Sequence, residues 1–326
     1  MAKREFIIKE YPEKSWSISR IKTIKSCLRE YYYTYYGSHR GWEYEVSNEQ
    51  KYAWRLKKLT NIWLVFGDIL HKAIKNIIDF KKNNIDKEID VDALKEFVRT
   101  NLNIVVKQSS RKDSISKWDN YPKGQMLLEY YYDGKLERDD ILEIKERIEQ
   151  CVENFFESKT FFHLNRGEYL DILEVDEGDF DYFLIEGVKI FSLIDLLYLD
   201  KEGNVIIVDW KTGKPNEEDR EQLLVYLIYV MGKYKVPVTK IKGRVEYLLT
   251  GESSEYEFTD EDIMNIKNRI SLEINVINAL LKDEDLNIPK DKDTFIMCDE
   301  DYKCNKCKYK RLCNKERVIS DEKVKY

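Results

Sequence analysis

The segment Asp195-Leu-Leu-Tyr-Leu-Asp200-Lys-Glu-Gly-Asn-Val205-Ile-Ile-Val-Asp209-Trp-Lys211 constrains the fold of this chain more than any other. Apolar residues fill both flanks, and Lys201, Glu202, Gly203 and Asn204 supply turn chemistry between them, which predicts a β-hairpin. With the turn centred near Glu202, Asp195 and Asp209 fall opposite each other. Directly paired cross-strand residues have Cβ atoms about 4.5–5.5 Å apart, close enough for one divalent cation to bridge two carboxylates. Side chains alternate faces along a strand, so Asp209 and Lys211 point the same way. Like charges placed opposite each other are destabilising, and a buried Asp is costly unless paired or metal-bound. Because Asp209 follows the apolar run Val205–Val208, a merely solvated edge is a poor explanation. Two carboxylates and an ammonium on one sheet face suit a site that holds a metal ion and a water against a phosphodiester.

The cysteines are the second constraint. Of Cys27, Cys151, Cys298, Cys304, Cys307 and Cys313, the last three form C-x2-C-x5-C within KCNKCKYKRLCNK. The sequence has no apolar amino-terminal signal segment and no membrane-length apolar run, which points to a cytoplasmic protein with no membrane partner. In a reducing compartment, clustered cysteines ligate metal more often than they form disulfides, and iron–sulfur or zinc are the plausible occupants. Three cysteines need a fourth. Cys298 is the economical choice, since a short loop costs less entropy to close, and Cys27 is the distant one. The spacing leaves both open. Cys151 has no cysteine neighbour and reads as a small buried residue.

These features together resemble the RecB-like PD-(D/E)XK nucleases, in the subclass that carries an iron–sulfur cluster and includes AddB-type helicase–nuclease subunits and the CRISPR adaptation nuclease. The family opens with Ser-x-Ser leading to Cys-Pro and aromatics; here Ser17 and Ser19 lead to Cys27, then Tyr31, Tyr32 and Tyr33, with Leu28 in place of Pro. Its Gly-x3-His is matched by Gly67 and His71, its core Asp by Asp195, and its Asp-x-Lys by Asp209 and Lys211. Ser192-Leu-Ile precedes Asp195 where a Gly is common in the family. Gln-x3-Tyr is matched by Gln222 and Tyr226, and the closing cysteines by Cys304, Cys307 and Cys313. The resemblance implies Cys27 as the fourth ligand of a 4Fe-4S cluster that staples the two ends of the chain. It also implies a restriction-endonuclease-like α/β core with a mixed central sheet flanked by helices.

The resemblance further implies roles. Asp195, Asp209, His71 and the backbone carbonyl of Trp210 would hold Mg²⁺ or Mn²⁺; carboxylate oxygens suit magnesium, and an imidazole shifts preference toward manganese. Lys211 would orient the attacking water or neutralise developing charge, and Gln222 and Tyr226, four apart on one helix face, would position the lysine or the nucleic-acid backbone. Gly67 would permit close approach of another backbone to the His71 helix. The expected activity is metal-dependent DNA hydrolysis on single strands or ends. The competing readings are a catalytically idle nucleic-acid-binding partner of a helicase or integrase, and a zinc-ribbon interaction protein.

A chain of 326 residues with 43% hydrophobic content supports a large core, read here as one nuclease domain over 1–326. A balance of 55 basic to 61 acidic residues excludes a general nucleic-acid coat protein. Charge is locally uneven: residues 303–317 hold seven Lys or Arg and one acid, and Arg20, Lys22, Lys25 and Arg29 surround Cys27. Joined, these stretches would form a positive surface for phosphates. Periodicity predicts helices over 18–36, 48–82 with a break near Leu59-Thr60, 91–107, 122–133, 137–158, 217–233 and from the Thr259 capping box to about 282. Strands are predicted at 169–175, 181–186, 188–200, 204–211 and 240–249. The span 85–160 reads as a helical insertion, and 298–315 as the cysteine segment. Among 23 Tyr, the cluster from Tyr31 to Tyr36 reads as core packing beside Cys27.

Overall fold

A computed structural model describes residues 9–176 and 181–314. Its centre is a five-stranded mixed sheet in the order Glu252–Glu257, Ile241–Tyr247, Val205–Lys211, Leu196–Asp200, Tyr169–Val175. The middle strand, Val205–Lys211, is buried from Val205 to Trp210, as its unbroken β-branched run requires. It pairs antiparallel with Leu196–Asp200 and parallel with Ile241–Tyr247. A parallel neighbour needs a crossover, supplied here by the Glu218–Tyr234 helix.

Alternation along the strands feeds two cores. Leu197, Val205, Ile207 and Val245 pack with Leu223, Leu227 and Val230 of the crossover helix and with Ile270 and Ile274 of the Asp260–Asn278 helix. Leu196, Tyr198, Ile206, Val208 and Trp210 pack on the other face against helices Ile62–Asn83 and Arg138–Glu157. Fully burying a Leu or Ile side chain stabilises by about 1.5–3 kcal/mol, so the sheet is fixed from both sides. The Ile62–Asn83 helix starts where the Asn61 side chain accepts from the Leu64 N–H at 2.9 Å. Its buried stripe of Val65, Phe66, Leu70, Ala73, Ile74, Ile77 and Ile78 turns one face to the core, which places His71 at the stripe's border.

The strand predicted over 188–200 is two strands. Val188–Ser192 joins a three-stranded sheet with Ser15–Trp16 and Asp181–Ile185, while Leu196–Asp200 belongs to the central sheet. The chain changes sheets across Leu193, Ile194 and Asp195, and an apolar run gives no sign of such a break. The break near Leu59-Thr60 is a two-residue strand paired in parallel with Met126–Leu127, so the predicted helix over 122–133 is confined to Leu128–Asp133. Glu252–Glu257, rich in charge, is an edge strand that the sequence reading missed. The span 85–160 is otherwise mostly helical; Val91–Ser110 and Arg138–Glu157 share the second core with Ile62–Asn83, while Trp118 and Tyr131 pack in a third cluster with Tyr33 and Tyr309. Among the described residues no helix is long and apolar enough to cross a membrane.

Candidate active site and cysteine pocket

The hairpin register runs Leu196↔Val208, Leu197↔Ile207, Tyr198↔Ile206, Leu199↔Val205, which is symmetric about residue 202. The turn is closed by the Asn204 N–H donating to Asp200 Oδ1 at 2.7 Å, with Gly203 at φ +75. In that left-handed region glycine carries no Cβ penalty. Asp195 precedes the first paired residue, and the register extended by one step sets it against Asp209. The expected opposition of the two carboxylates therefore matches the backbone geometry.

Each carboxylate has a different partner. Asp195 Oδ1 lies 2.9 Å from His71 Nδ1, and its Oδ2 accepts from the Trp210 backbone N–H at 2.8 Å. Asp209, 2% exposed, has its Oδ2 2.7 Å from the Lys211 ammonium. Lys211 also donates to Gln222 Oε1 at 2.6 Å, and the Gln222 amide donates to the Tyr226 hydroxyl at 2.5 Å. Two polar groups result, His71 with Asp195 and Asp209 with Lys211, Gln222 and Tyr226, and the Trp210 backbone N–H bridges them. Gly67 is less special than predicted. A Cβ there would meet only the Thr212 hydroxyl at 3.6 Å, an ordinary contact, so no backbone approach depends on it.

Electrostatics separates the two acids. Burial raises the Asp209 pKa to about 6 despite the nearby Lys211 charge, with Asp195 adding to the rise. Burial also works against ionisation of Asp195, but the His71 charge, its hydrogen bond and the Trp210 N–H outweigh it and hold the group below the ordinary carboxylate range. For His71, burial favours the neutral ring, yet Asp195 and then Asp209 raise its pKa to about 9. Lys211 behaves likewise: burial opposes its charge, and Asp209 more than restores it. The site thus carries two internal cations balancing two acids, and Lys211 is a donor rather than a base.

The donor set suits a divalent cation. Asp209 Oδ2 is buried and, although the lysine is close, receives no aligned hydrogen bond. An oxygen so placed is an open ligand position, beside a second carboxylate and an imidazole, which are hard and borderline donors of the kind Mg²⁺ and Mn²⁺ use. Among the described residues no three His, Cys, Asp or Glu side chains are gathered tightly enough to grip an ion as they stand.

Two positioning residues escaped the sequence reading. Glu246, 2% exposed, accepts from the Trp210 indole N–H and from the Thr160 backbone N–H, each at 2.8 Å. It is the register partner of Trp210 and fixes the strand between the two acids. Arg147 donates to the Thr212 carbonyl at 3.1 Å, just past Lys211. A glutamate inside the apolar Ile241–Tyr247 strand was the available signal for the first.

The second cluster lies at the chain ends. Cys27, Cys298, Cys304, Cys307 and Cys313 line one small pocket. Cys27 sits at the junction of helices Ile18–Ser26 and Leu28–Tyr32, where its sulfur accepts from the Glu30 N–H at 3.4 Å. The Tyr309 N–H donates to Cys307 and the Glu300 N–H to Cys298, both at 3.4 Å. Burial, then Glu30, push the Cys307 thiol far up, with Cys313 and Cys27 adding to the rise. The chain ends meet through Tyr33 stacked on Tyr309 at 5.4 Å. Cys151 is buried elsewhere, its thiol pushed up to about 12 by burial.

The predicted positive surface around this pocket is thinner than the charge count implies: Lys306 and Arg311 are exposed, but other members are taken up. Arg20 and Arg29 are buried, and Lys22, Lys25 and Lys303 are paired with Glu218, Glu273 and Glu300. Lys315, Glu316 and Arg317 lie outside the described residues. Tyr31, Tyr33 and Tyr36 are buried, in line with core packing.

No curated protein matches this chain. A family profile does: that of the PD-(D/E)XK nuclease superfamily matches residues 15–314, a span that takes in both the hairpin and the cysteine pocket. Members of that superfamily are generally metal-dependent nucleases, and the mixed α/β architecture agrees with their fold. The chain therefore belongs to the PD-(D/E)XK nuclease superfamily.

Proposed function

We propose that this protein is a metal-dependent deoxyribonuclease acting on single strands or DNA ends. The observation that carries the reading is the opposed pair Asp195 and Asp209, with Lys211 ion-paired to Asp209 and donating to Gln222. Asp195, Asp209, His71 and the Trp210 carbonyl would hold Mg²⁺ or Mn²⁺. When bound, such an ion stabilises charge on a scissile phosphate and lowers the pKa of a coordinated water. Lys211, kept cationic by Asp209, directs its remaining N–H toward the water or the phosphate. Gln222 fixes the lysine, and Tyr226, neutral because burial and the two acids raise its pKa, fixes Gln222. The measurement is digestion of end-labelled single- and double-stranded DNA with Mg²⁺ or Mn²⁺. Cleavage lost in Asp209→Ala and Lys211→Ala supports the reading, and cleavage retained in both ends it.

A structural 4Fe-4S cluster, held by Cys27, Cys304, Cys307 and Cys313, belongs to the same proposal. Its support is the gathering of these sulfurs with backbone N–H donors aimed at them. Cys298 lines the same pocket and is the alternative ligand. Iron and sulfide analysis of anaerobically purified protein, with absorption in the thiolate–iron charge-transfer region, tests the cluster; zinc in its place overturns it. A helicase or integrase is the class of protein partner this reading favours.

A further inference from the structure

A second cavity, of about 480 Å³, lies on the other side of the Ser15–Arg20 segment from the site, within the ~300–1,000 Å³ typical of ligand pockets. Trp16, Ser17 and Ser19 line a groove together with Gln222 and Tyr226, whereas Ser15 and Arg20 line the second cavity with Trp42, Trp54, Lys57 and Lys58. One short segment thus separates it from the residues next to Lys211.

The chemistry of this cavity is uncompensated positive charge beside an open indole. Arg20 is 2% exposed, and its hydrogen bonds go to neutral acceptors: the Ser15 carbonyl and hydroxyl, and the hydroxyls of Tyr31 and Tyr36. Among the described residues no carboxylate pairs with Lys57 or Lys58. Glu13, also in the lining, is taken up by Lys9 and Lys189. Lys57 is exposed in part, and burial of the rest, then the charges of Lys308 and Arg20, lower its pKa. A group in that state is stabilised by an incoming anion.

The aromatic wall is built, not incidental. Gly41 seats the preceding loop on the Asn48–Lys57 helix, where a Cβ would meet Trp54 Cβ at 2.2 Å and the Gln50 carbonyl at 2.6 Å. Trp54 is already covered by the Lys58 ammonium, 3.8 Å from its ring centroid. Trp42, 47% exposed, has the rings of His39 and Trp54 6.2 and 6.4 Å away and is the more open of the two indoles. Cations that track phosphates beside an aromatic face that stacks an unpaired base are how single strands are held.

We propose that this cavity binds one nucleotide of a single strand whose neighbouring residues run past Ser17 and Ser19 to Lys211, with a phosphate at Lys57 and Lys58 and a base on Trp42. The inference rests on the nuclease reading above. It is tested with fluorescein-labelled oligothymidylate and an abasic strand of equal length, bound in EDTA and followed by anisotropy. Trp42→Ala should weaken oligothymidylate binding about tenfold and leave the abasic strand unchanged. Lys57→Gln with Lys58→Gln should weaken both and make the log–log salt slope shallower by about 0.7, the share of one phosphate. All three positions are solvent-facing or rim residues, so the variants should fold, which circular dichroism checks. Wild-type affinity and slope in these variants, with cleavage by the parent protein intact, overturn the cavity assignment alone. A parent protein that neither binds nor cleaves any single strand overturns the nuclease reading and the cavity with it. Thymidine monophosphate binding as tightly as the oligomer would make the cavity a free-nucleotide site and overturn the strand path.

Discussion

The carboxylate hairpin and the cysteine pocket are closed in opposite ways. Asp195, Asp209 and Lys211 are joined by one tight turn, so bringing them together costs little chain entropy. Their difficulty is charge, and it is met within the site by His71 and Lys211. In the cysteine pocket the groups arrive from both ends of the chain, and the difficulty is loop closure. There the joint is aromatic and backbone contact: Tyr33 on Tyr309, Tyr32 against Phe295 at 5.1 Å, and Arg29 donating to the Phe295 carbonyl at 2.8 Å. A local site can be preorganised by electrostatics alone. A site built across the chain needs packing first, and a metal held by its thiols would add a covalent tie to that packing.

The comparison gives ordered ways to break it. The largest effect should be on cleavage: Asp209→Ala or Lys211→Ala should lower the rate by at least ~10³-fold while leaving the melting temperature nearly unchanged, since catalytic charge is spent at a cost to stability. A variant that loses activity only through unfolding would remove the contrast. Next, Cys307→Ala should leave the carboxylate geometry intact but remove the brown colour and cost about 2–5 kcal/mol of stability, read from denaturant midpoints, as a tie closing a long loop does. Equal colour and stability would mean that no staple exists. Third, His71→Ala should weaken Mn²⁺ affinity by roughly 10–100-fold, measured from the metal dependence of cleavage, with a smaller change at saturating metal. Fourth, Glu246→Gln should lower the cleavage rate by only about tenfold, because it acts on the site through Trp210; a loss as large as that of Asp209→Ala would give Glu246 a direct part. The smallest effect is a gain. Asp209→Asn should raise stability by about 1 kcal/mol in the metal-free protein, because burial, then the opposed Asp195, disfavours its charge; a drop in melting temperature would show that the Lys211 pair outweighs both.

Much of the hairpin was legible because its signals are short-range. Two apolar runs on either side of the Gly203 turn fix a register, and a register fixes which side chains oppose. The crossover helix, the capping box at Thr259 and the long Ile62–Asn83 helix were readable for the same reason: periodicity and caps act within a few residues. The Thr259 hydroxyl does accept from the Asp262 N–H, as the pattern predicts. The switch of sheets at Leu193 to Asp195 was not legible, since both halves of that run are apolar and β-prone. Nor was the charge census around Cys27 a guide to a surface, because Arg20 and Arg29 point inward and the lysines meet acids from distant elements.

The sequence by itself determined that two carboxylates and a lysine meet on one sheet face, that three cysteines stand close together near the end of the chain, and that these lie in an α/β protein of a nuclease kind. Only the tertiary structure decided that His71 reaches Asp195, that Glu246 locks Trp210, that Cys27 and Cys298 both reach the cysteine pocket, and that Trp42, Lys57 and Lys58 line one cavity. The reason is range. Turns and strand registers are set by neighbours along the chain, whereas contacts between separate elements depend on how whole helices and sheets pack, and a residue's local sequence carries no record of that.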